Sequence, residues 1–120
     1  MNSIDKLLIH YAGKSLDVDF QKVDFFSKFY GLMFKSKNTN NLLFEFKKDV
    51  KTPFTSFFVF FTFLILFLDD KNNVIDFQKV SPFKRLIKSN KKFRNVLEVP
   101  FNSKNEHIFD FFDDNLEKFK

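Results

Sequence analysis

The sequence predicts a mainly β protein, a single compact β-sandwich or barrel with one or two short helices. The first observation is composition: 44% of the 120 residues are hydrophobic and 22 are Phe, which is enough apolar surface for one core. The second is the alternation of apolar and polar residues from Leu16 to Phe20, which is typical of a half-buried strand. The third is the apolar run from Phe57 to Leu68, whose residue types favour buried strands. Without a linker or an internal repeat, we expect one domain over residues 1–120.

The first third of the chain predicts a strand, a helix and a loop. The strand covers Leu16 to Phe20. Asp24 is placed to cap a short helix from Phe25 to Tyr30 by accepting a hydrogen bond from a free backbone N–H. Gly31 stands where that helix ends, because glycine adopts the left-handed conformation freely. A polar loop follows from Ser36 to Asn41.

The middle of the chain predicts a hairpin built on the apolar run. Leu42 to Phe46 is expected to form a strand and Lys47 to Thr52 a charged turn. Phe57 to Leu68 is interpreted as one or two strands that are buried on both faces. Asp69 to Asn73 is a turn, since Asn and Asp tolerate positive φ. Val74 to Val80 then returns as the partner strand.

The last part of the chain leaves two interpretations open. Val96 to Val99 predicts a short strand that Pro100 ends. In the tail, Ile108, Phe112, Leu116 and Phe119 are spaced as one face of a helix. Alternatively, a short helix ends near Asp113 and Asp114, and Leu116 to Phe119 forms a final strand.

Membrane insertion and export are not expected. The run from Phe57 to Leu68 is twelve residues long, whereas a spanning helix needs about 20. The N-terminus carries no apolar stretch of the length found in secretory signals. The chain has no Cys, which excludes disulfides, thiolate zinc sites and cysteine nucleophiles and fits a reducing compartment. We therefore expect a cytoplasmic protein.

No motif in the sequence supports an enzyme. The two histidines, His10 and His107, lie near opposite ends of the chain, whereas metal sites usually need three or four convergent ligands. The adjacent acids Asp69-Asp70 and Asp113-Asp114 are interpreted as turns. With two Gly in the chain, neither a phosphate loop nor a dinucleotide fingerprint can be built. We predict no catalytic residue, cofactor or metal, and an enzyme with acids from distant strands is the weakest alternative.

The strongest charge feature is a basic segment between Lys79 and Arg94. From Phe77 to Leu97 there is no acidic residue, and the whole chain has a net charge of +5. Such a patch attracts phosphate backbones, and interleaved aromatics such as Phe83 are suited to stacking on single strands. The competing interpretation is a solvated loop that the acidic tail neutralises. The candidate anion-binding residues are Lys84, Arg85, Lys88, Lys91, Lys92 and Arg94.

The order of several short blocks resembles the DUF192 family of small, uncharacterised bacterial and archaeal proteins. The blocks are Gly31-Leu32-Met33-Phe34, Leu42 to Phe46, Phe57-Phe58-Val59, Phe67-Leu68-Asp69 followed by a turn and Val74, and Val96-Leu97-Glu98-Val99-Pro100. The resemblance covers about residues 14–119 and implies a compact β-sandwich or barrel, with no established activity. The chain departs from the family's pattern where Thr62 and Leu64 replace a Pro and an Asp, and where Lys35 replaces an Arg.

The function expected from the sequence is therefore a binding module. The leading hypothesis is a non-enzymatic, DUF192-like protein that binds a small ligand or a protein partner. A cleft lined by Met33, Phe54, Phe57 and Phe83 would suit an apolar ligand, but in a Phe-rich chain the favoured interpretation of these residues is a plain core. The alternative is a nucleic-acid or polyanion binder that uses the basic segment 79–94.

Overall fold

The structure is a computed structural model that describes residues 4–23, 35–54, 59–83 and 86–116, with side chains up to Phe112. Its strands are β1 (Asp5–Tyr11), β2 (Lys14–Lys22), β3 (Leu42–Val50), β4 (Phe63–Leu68), β5 (Val74–Val80) and β6 (Phe93–Pro100). A short 3₁₀ turn (Ser103–Asn105) leads into the helix α1 (Glu106–Leu116).

The described strands form one strongly curled sheet in the order β1-β2-β3-β6-β4-β5. All neighbours are antiparallel except β2 and β3, which pair in parallel only at Gln21 with Leu42 and Lys22 with Leu43. The curl brings the two outer strands together at one point, where the backbone N–H of His10 donates to the carbonyl of Asn72 at 3.0 Å. The sheet is thus a half-barrel, and the prediction of a mainly β fold with a short helix is confirmed.

Strand β4 lies at the centre of the core. All six of its residues are fully buried, and they alternate between the two faces of the sheet. Leu64, Leu66 and Leu68 belong to the cluster on one face, whereas Phe63, Ile65 and Phe67 belong to the cluster on the other. Each such side chain contributes about 1.5–3 kcal/mol through burial, so this strand anchors both halves of the core. The prediction of a strand buried on both faces is confirmed for Phe63–Leu68. Residues 59–62 are not part of the strand, Phe60 is exposed, and residues 57–58 lie outside the described part of the chain.

Helix α1 covers one of those faces. Ile108, Phe109 and Phe112 pack into the cluster that contains Leu64 and Leu66. The spacing of these apolar residues places them on one stripe of the helix. The helical interpretation of the tail is therefore confirmed as far as Leu116, while residues 117–120 lie outside the described part. Asp113 and Asp114 lie within the helix, so their interpretation as a turn was wrong.

Irregular segments contribute to the opposite face. Phe54 and Ile87 form an isolated antiparallel bridge, with backbone N···O distances of 2.9 and 2.7 Å. Ile87 is buried and Phe54 is half-buried against the rings of Phe44, Phe67 and Phe93. This face is therefore an aromatic core.

Several element boundaries differ from the sequence prediction. Strand β1 was not predicted, because its run Leu7-Leu8-Ile9 breaks the alternation that marks a half-buried strand. The predicted turn from Lys47 to Thr52 begins as part of β3, which continues to Val50 through a bulge opposite Arg94. Strand β6 begins at Phe93 rather than Val96.

The turn and hairpin in the middle of the chain are as predicted. Strands β4 and β5 pair along their length, and the carboxylate of Asp69 closes the turn by accepting from the backbone N–H groups of Lys71 and Asn73, both at 2.9 Å. Asn72 has a positive φ of 65°. The predicted helix over residues 25–30 and its stop at Gly31 lie outside the described residues. In the described part of the chain, no helix is long and apolar enough to cross a membrane.

Candidate functional site

A groove of about 240 Å³ lies between strand β2 and the beginning of α1, and we name it the β2–α1 groove. One wall is β2 together with the start of β1, and the opposite wall is the first turn of the helix with the residues before it. The loop that precedes β3 closes the bottom. Its lining residues are Ile4, Lys6, Asp17, Asp19, Phe20, Thr39, Asn40, Asn41, Lys104, Asn105, His107 and Ile108.

A buried amide pair forms the rigid floor of this groove. Nδ2 of Asn105 donates to Oδ1 of Asn41 at 2.9 Å and to the carbonyl of Pro100 at 2.8 Å. Nδ2 of Asn41 donates in return to Oδ1 of Asn105 at 3.2 Å and to the carbonyl of Asp19 at 2.8 Å. Since these buried amides are hydrogen-bonded to one another and to backbone carbonyls, their role is to hold the walls of the groove in place rather than to bind a ligand.

A third asparagine joins the same network to the helix start. Oδ1 of Asn102 accepts from the backbone N–H of Asn105 at 3.1 Å, which is the usual way to satisfy a free donor before a helix. Nδ2 of Asn102 donates to the carbonyl of Lys37 at 2.7 Å. The loop before β3 is thereby held against the entrance of α1. The sequence prediction did not identify this cluster, although three Asn residues in flanking loops were a visible signal.

The β2 wall exposes backbone as well as side chains. The N–H of Gln21 donates to the carbonyl of Asn41, so this residue points away from β1. In an antiparallel pair, successive residues alternate between facing the partner and facing away, so Asp17 and Asp19 point the same way as Gln21. The strand's edge at Asp17 therefore faces the groove, because β3 pairs with β2 only from Gln21 onward.

The rim of the groove carries charges of both signs. Asp17, Asp19, Lys6, Lys104 and His107 are all exposed. In the described residues, neither aspartate forms an ion pair, and Nζ of Lys104 donates to the carbonyl of Asn38 at 3.3 Å. His10 lies elsewhere, at the tip of the β1–β2 hairpin, with its Nδ1 2.8 Å from Oγ of Ser15. No group of three metal-binding side chains converges within the described ranges.

The predicted basic segment is only partly described. Lys84 and Arg85 lie outside the described residues. Lys88, Lys91 and Lys92 are exposed on the loop between β5 and β6. Arg94 is half-buried, and its Nε is 3.1 Å from Oδ1 of Asp49 on β3, so this cation is already engaged in an ion pair.

An acid that lies just before the basic segment holds its loop in place. Oδ2 of Asp76 accepts from Oγ of Ser89 and from the backbone N–H of Asn90, both at 3.1 Å. Nε2 of Gln78 donates to the carbonyl of Lys88 at 2.6 Å. The loop is therefore docked on β5, and Asp76 offsets part of its charge.

The β3–β6 register adds basic residues that the sequence prediction missed. Val50 on β3 lies opposite Phe93 on β6, which brings Lys51 beside Lys92 at one end of the sheet. These lysines are distant in the sequence and become neighbours only through the strand pairing. All are exposed, and we call this group the basic end: Lys47, Lys48, Lys51, Lys91 and Lys92.

One carboxyl is buried in the sheet itself. Glu98 on β6 is 4% exposed and lies between Leu42 and Ile65 of the neighbouring strands. Among the described residues it is the only charged side chain that is buried. Its neighbours Leu97 and Val99 face the helix, so Glu98 faces the aromatic side of the sheet. The alternation of the strand allowed this assignment, but the sequence prediction gave the residue no role.

The predicted apolar cleft is not formed by the residues that can be located. Phe54 packs its ring within 6.3 Å of those of Phe44, Phe67 and Phe93 and belongs to the core. Phe83 is 54% exposed, and its ring lies 5.3 Å from that of Phe60. Met33 and Phe57 lie outside the described residues. Phe54 therefore follows the plain-core interpretation.

Two solved structures of other proteins have a similar architecture. A crystal structure of a protein of unknown function from Novosphingobium aromaticivorans is similar with a TM-score of 0.72 and 13% identity, over 88% of this chain and 78% of that one. A proposed transcription regulator from Sinorhizobium meliloti is similar with a TM-score of 0.69 and 19% identity, over 84% of this chain and 81% of that one. At these identities the likeness concerns the fold alone. No curated protein matches the sequence.

The family comparison agrees with the blocks recognised in the sequence. The model of the DUF192 family, described as an uncharacterized ACR, matches residues 9–109. That range runs from the end of β1 to the first turn of α1 and includes strands β2 to β6 in full. The chain belongs to the DUF192 family.

Proposed function

We propose that this protein is a cytoplasmic, non-enzymatic binding module that holds a small ligand or a segment of a protein partner in the β2–α1 groove. The observation that supports this is the combination of exposed charges on the rim with a fixed floor of mutually bonded amides. Polar side chains that rigid elements hold around a concave site are positioned to bind a partner.

Binding is favoured over catalysis by what the groove contains. Thr39 is the only hydroxyl among its described lining residues. Among the described residues, the only hydrogen bond of Thr39 is that of its backbone N–H to the carbonyl of Ser36, so its hydroxyl is not paired with His107 or an aspartate as covalent catalysis requires.

The test is a titration of the ¹⁵N-labelled protein with small carboxylates, amines and blocked dipeptides, followed by NMR. We expect the amide signals of Asp17, Asn40 and His107 to shift together. Thr39→Trp places a large ring in the groove and should remove the response, whereas the matched control Thr52→Trp, at an exposed site outside the groove, should retain it. Shifts that cluster elsewhere, or that persist in Thr39→Trp, would refute this assignment.

A second candidate function, binding of nucleic acid or another polyanion, is favoured by the basic end. There the strand register joins Lys51 to Lys91 and Lys92 on a loop that Asp76 holds in place. Several lysines on a fixed surface attract phosphate backbones through counterion release. The Sinorhizobium neighbour's description as a proposed transcription regulator is consistent with this, although its likeness extends only to the fold.

Salt-dependent retention on heparin and on duplex DNA tests the second candidate. Lys91→Glu with Lys92→Glu should lower the slope of log affinity against log salt by about two. The control is Lys14→Glu with Lys71→Glu, which changes net charge equally at exposed turns outside the basic end. If both double variants lower the salt slope by the same amount, the effect depends on net charge alone and the basic end is rejected as a site.

A further inference from the structure

We infer that the β2–α1 groove accepts an extended polypeptide segment as an added strand along β2, with basic side chains at alternate positions facing Asp17 and Asp19. This rests on the proposed function, because it names the class of partner for the same groove. The argument uses the backbone of the β2 wall, the charges on that wall and the place where the wall ends.

The backbone of β2 offers unused hydrogen-bonding groups to such a segment. The N–H and C=O groups of one strand residue point to the same side, and at Asp17 and Asp19 that side faces away from β1. In the described structure, the carbonyl of Asp19 is used by Nδ2 of Asn41. Among the residues that the structure describes, none bonds the N–H of Asp19 or either backbone group of Asp17, so these groups can pair with an added strand, which is how extended peptides join exposed sheet edges.

The charges of the wall select the partner. Asp17 and Asp19 are two residues apart, so both carboxylates project from the same face of the strand. Residues directly opposite in a neighbouring strand have Cβ atoms about 4.5–5.5 Å away, within reach of an ion pair. An added strand therefore meets two exposed carboxylates at alternate positions, and Lys or Arg at those positions is complementary to both.

The fold also sets the length of the segment. At Gln21 the edge of β2 is closed, because this N–H is bonded to the carbonyl of Asn41 and parallel pairing with β3 begins there. At the other end, β2 begins at Lys14, after the hairpin turn at Ala12 and Gly13. Within the described part of the chain, the edge without a strand partner thus covers Ser15 to Asp19, which suits about five residues of extended chain.

The experiment uses a blocked heptapeptide of alternating Lys and Val, titrated into the ¹⁵N-labelled protein. Amide exchange is followed together with chemical shifts. We expect the amide protons of Asp17 and Asp19 to exchange more slowly in the complex. Asp17→Asn with Asp19→Asn should weaken binding about three- to ten-fold, whereas Asp5→Asn with Asp110→Asn, at exposed acids outside the groove, should leave it unchanged.

Two further peptides separate this inference from the proposed function. A Glu-Val peptide tests the charge, and a Lys-Val peptide N-methylated at alternate residues keeps the charge but lacks the backbone donors that strand addition needs. Loss of binding by both peptides supports the inference. If the N-methylated peptide binds the groove as tightly as the unmethylated one, strand addition is overturned. The same holds if the Lys-Val peptide binds without slowing amide exchange at Asp17 and Asp19. In both cases the groove remains a binding site. If no Lys-Val peptide binds although the small-molecule titration still maps to the groove, the inference alone is lost.

Discussion

Replacing Asn105 by Ala tests whether the amide floor supports the groove. The side chain is 4% exposed and takes part in hydrogen bonds with Asn41 in both directions and with the carbonyl of Pro100, at 2.8–3.2 Å. At about 1 kcal/mol for each bond, the variant should lose about 3 kcal/mol of unfolding free energy. In a domain of this size, that loss lowers the melting temperature by about 10 °C.

The assay is urea unfolding followed by circular dichroism, with Asn41→Ala and the double variant completing a mutant cycle. Because each substitution removes the same mutual bonds, the double variant should lose about 1–2 kcal/mol less than the sum of the single ones. Asn38→Ala, at an exposed residue of the same loop, is the control and should change stability by less than about 0.5 kcal/mol. A loss below about 1 kcal/mol for Asn105→Ala, or strict additivity, would refute a coupled floor.

Three further changes test other parts of the fold. Ala12 and Gly13 form the two-residue turn between β1 and β2 with φ values of 52° and 79°. Because Asn adopts positive φ more readily than Ala, Ala12→Asn should raise the free energy of unfolding by about 0.5–1 kcal/mol in the same urea assay. A decrease would contradict the turn geometry. Burial raises the pKa of Asp69, but hydrogen bonds from Asn73 and from the backbone of Lys71, together with the charge of Lys71, outweigh it and hold the pKa below its ordinary value of 3.8. Because the folded pKa is the lower one, this stabilisation is present above about pH 4 and is lost as the pH falls through the folded value. The stability difference between the parent and Asp69→Asn should therefore shrink in thermal melts below about pH 4, and a constant difference would exclude the carboxylate's charge as the cause. Leu64→Asp restores the acid of the family pattern and places a carboxyl between β4 and α1, so it should lower the free energy of unfolding by more than about 4 kcal/mol. A melting temperature equal to the parent's would show that this site tolerates charge.

The parts of the fold that could be predicted are those whose structure depends on residues close together in the sequence. The β4–β5 hairpin follows from an apolar run that ends in residues suited to positive φ, and Asn72 adopts that conformation. The helical spacing of Ile108 and Phe112 likewise matches the face that α1 buries. The parallel contact of β2 with β3 was not predictable, because it depends on how two distant segments meet rather than on either segment alone.

The candidate site was the least predictable feature. Its polar groups come from β2, from the loop before β3 and from the start of α1, so no sequence window contains them together. The basic segment was visible because its cations are close in sequence, yet Arg94 is paired with Asp49 and the added lysines come from β3. Asn41 belongs to the predicted loop, but its hydrogen-bond partner Asn105 is 64 positions away in the sequence, so the pair could not be predicted.

The β1–β2 hairpin is joined to the rest of the sheet by few backbone hydrogen bonds, although its side chains are part of the core. Two parallel rungs to β3 and one bond from His10 to Asn72 make this connection, whereas β4 is paired along both edges. Ile9, Val18 and Phe20 are buried in the cluster that α1 covers, which holds the hairpin in place. Because amide protons that lack a partner in the sheet exchange more readily, we expect faster exchange along the β2 edge at Asp17 and Asp19 than in β4, and a guest bound beside β2 would slow it.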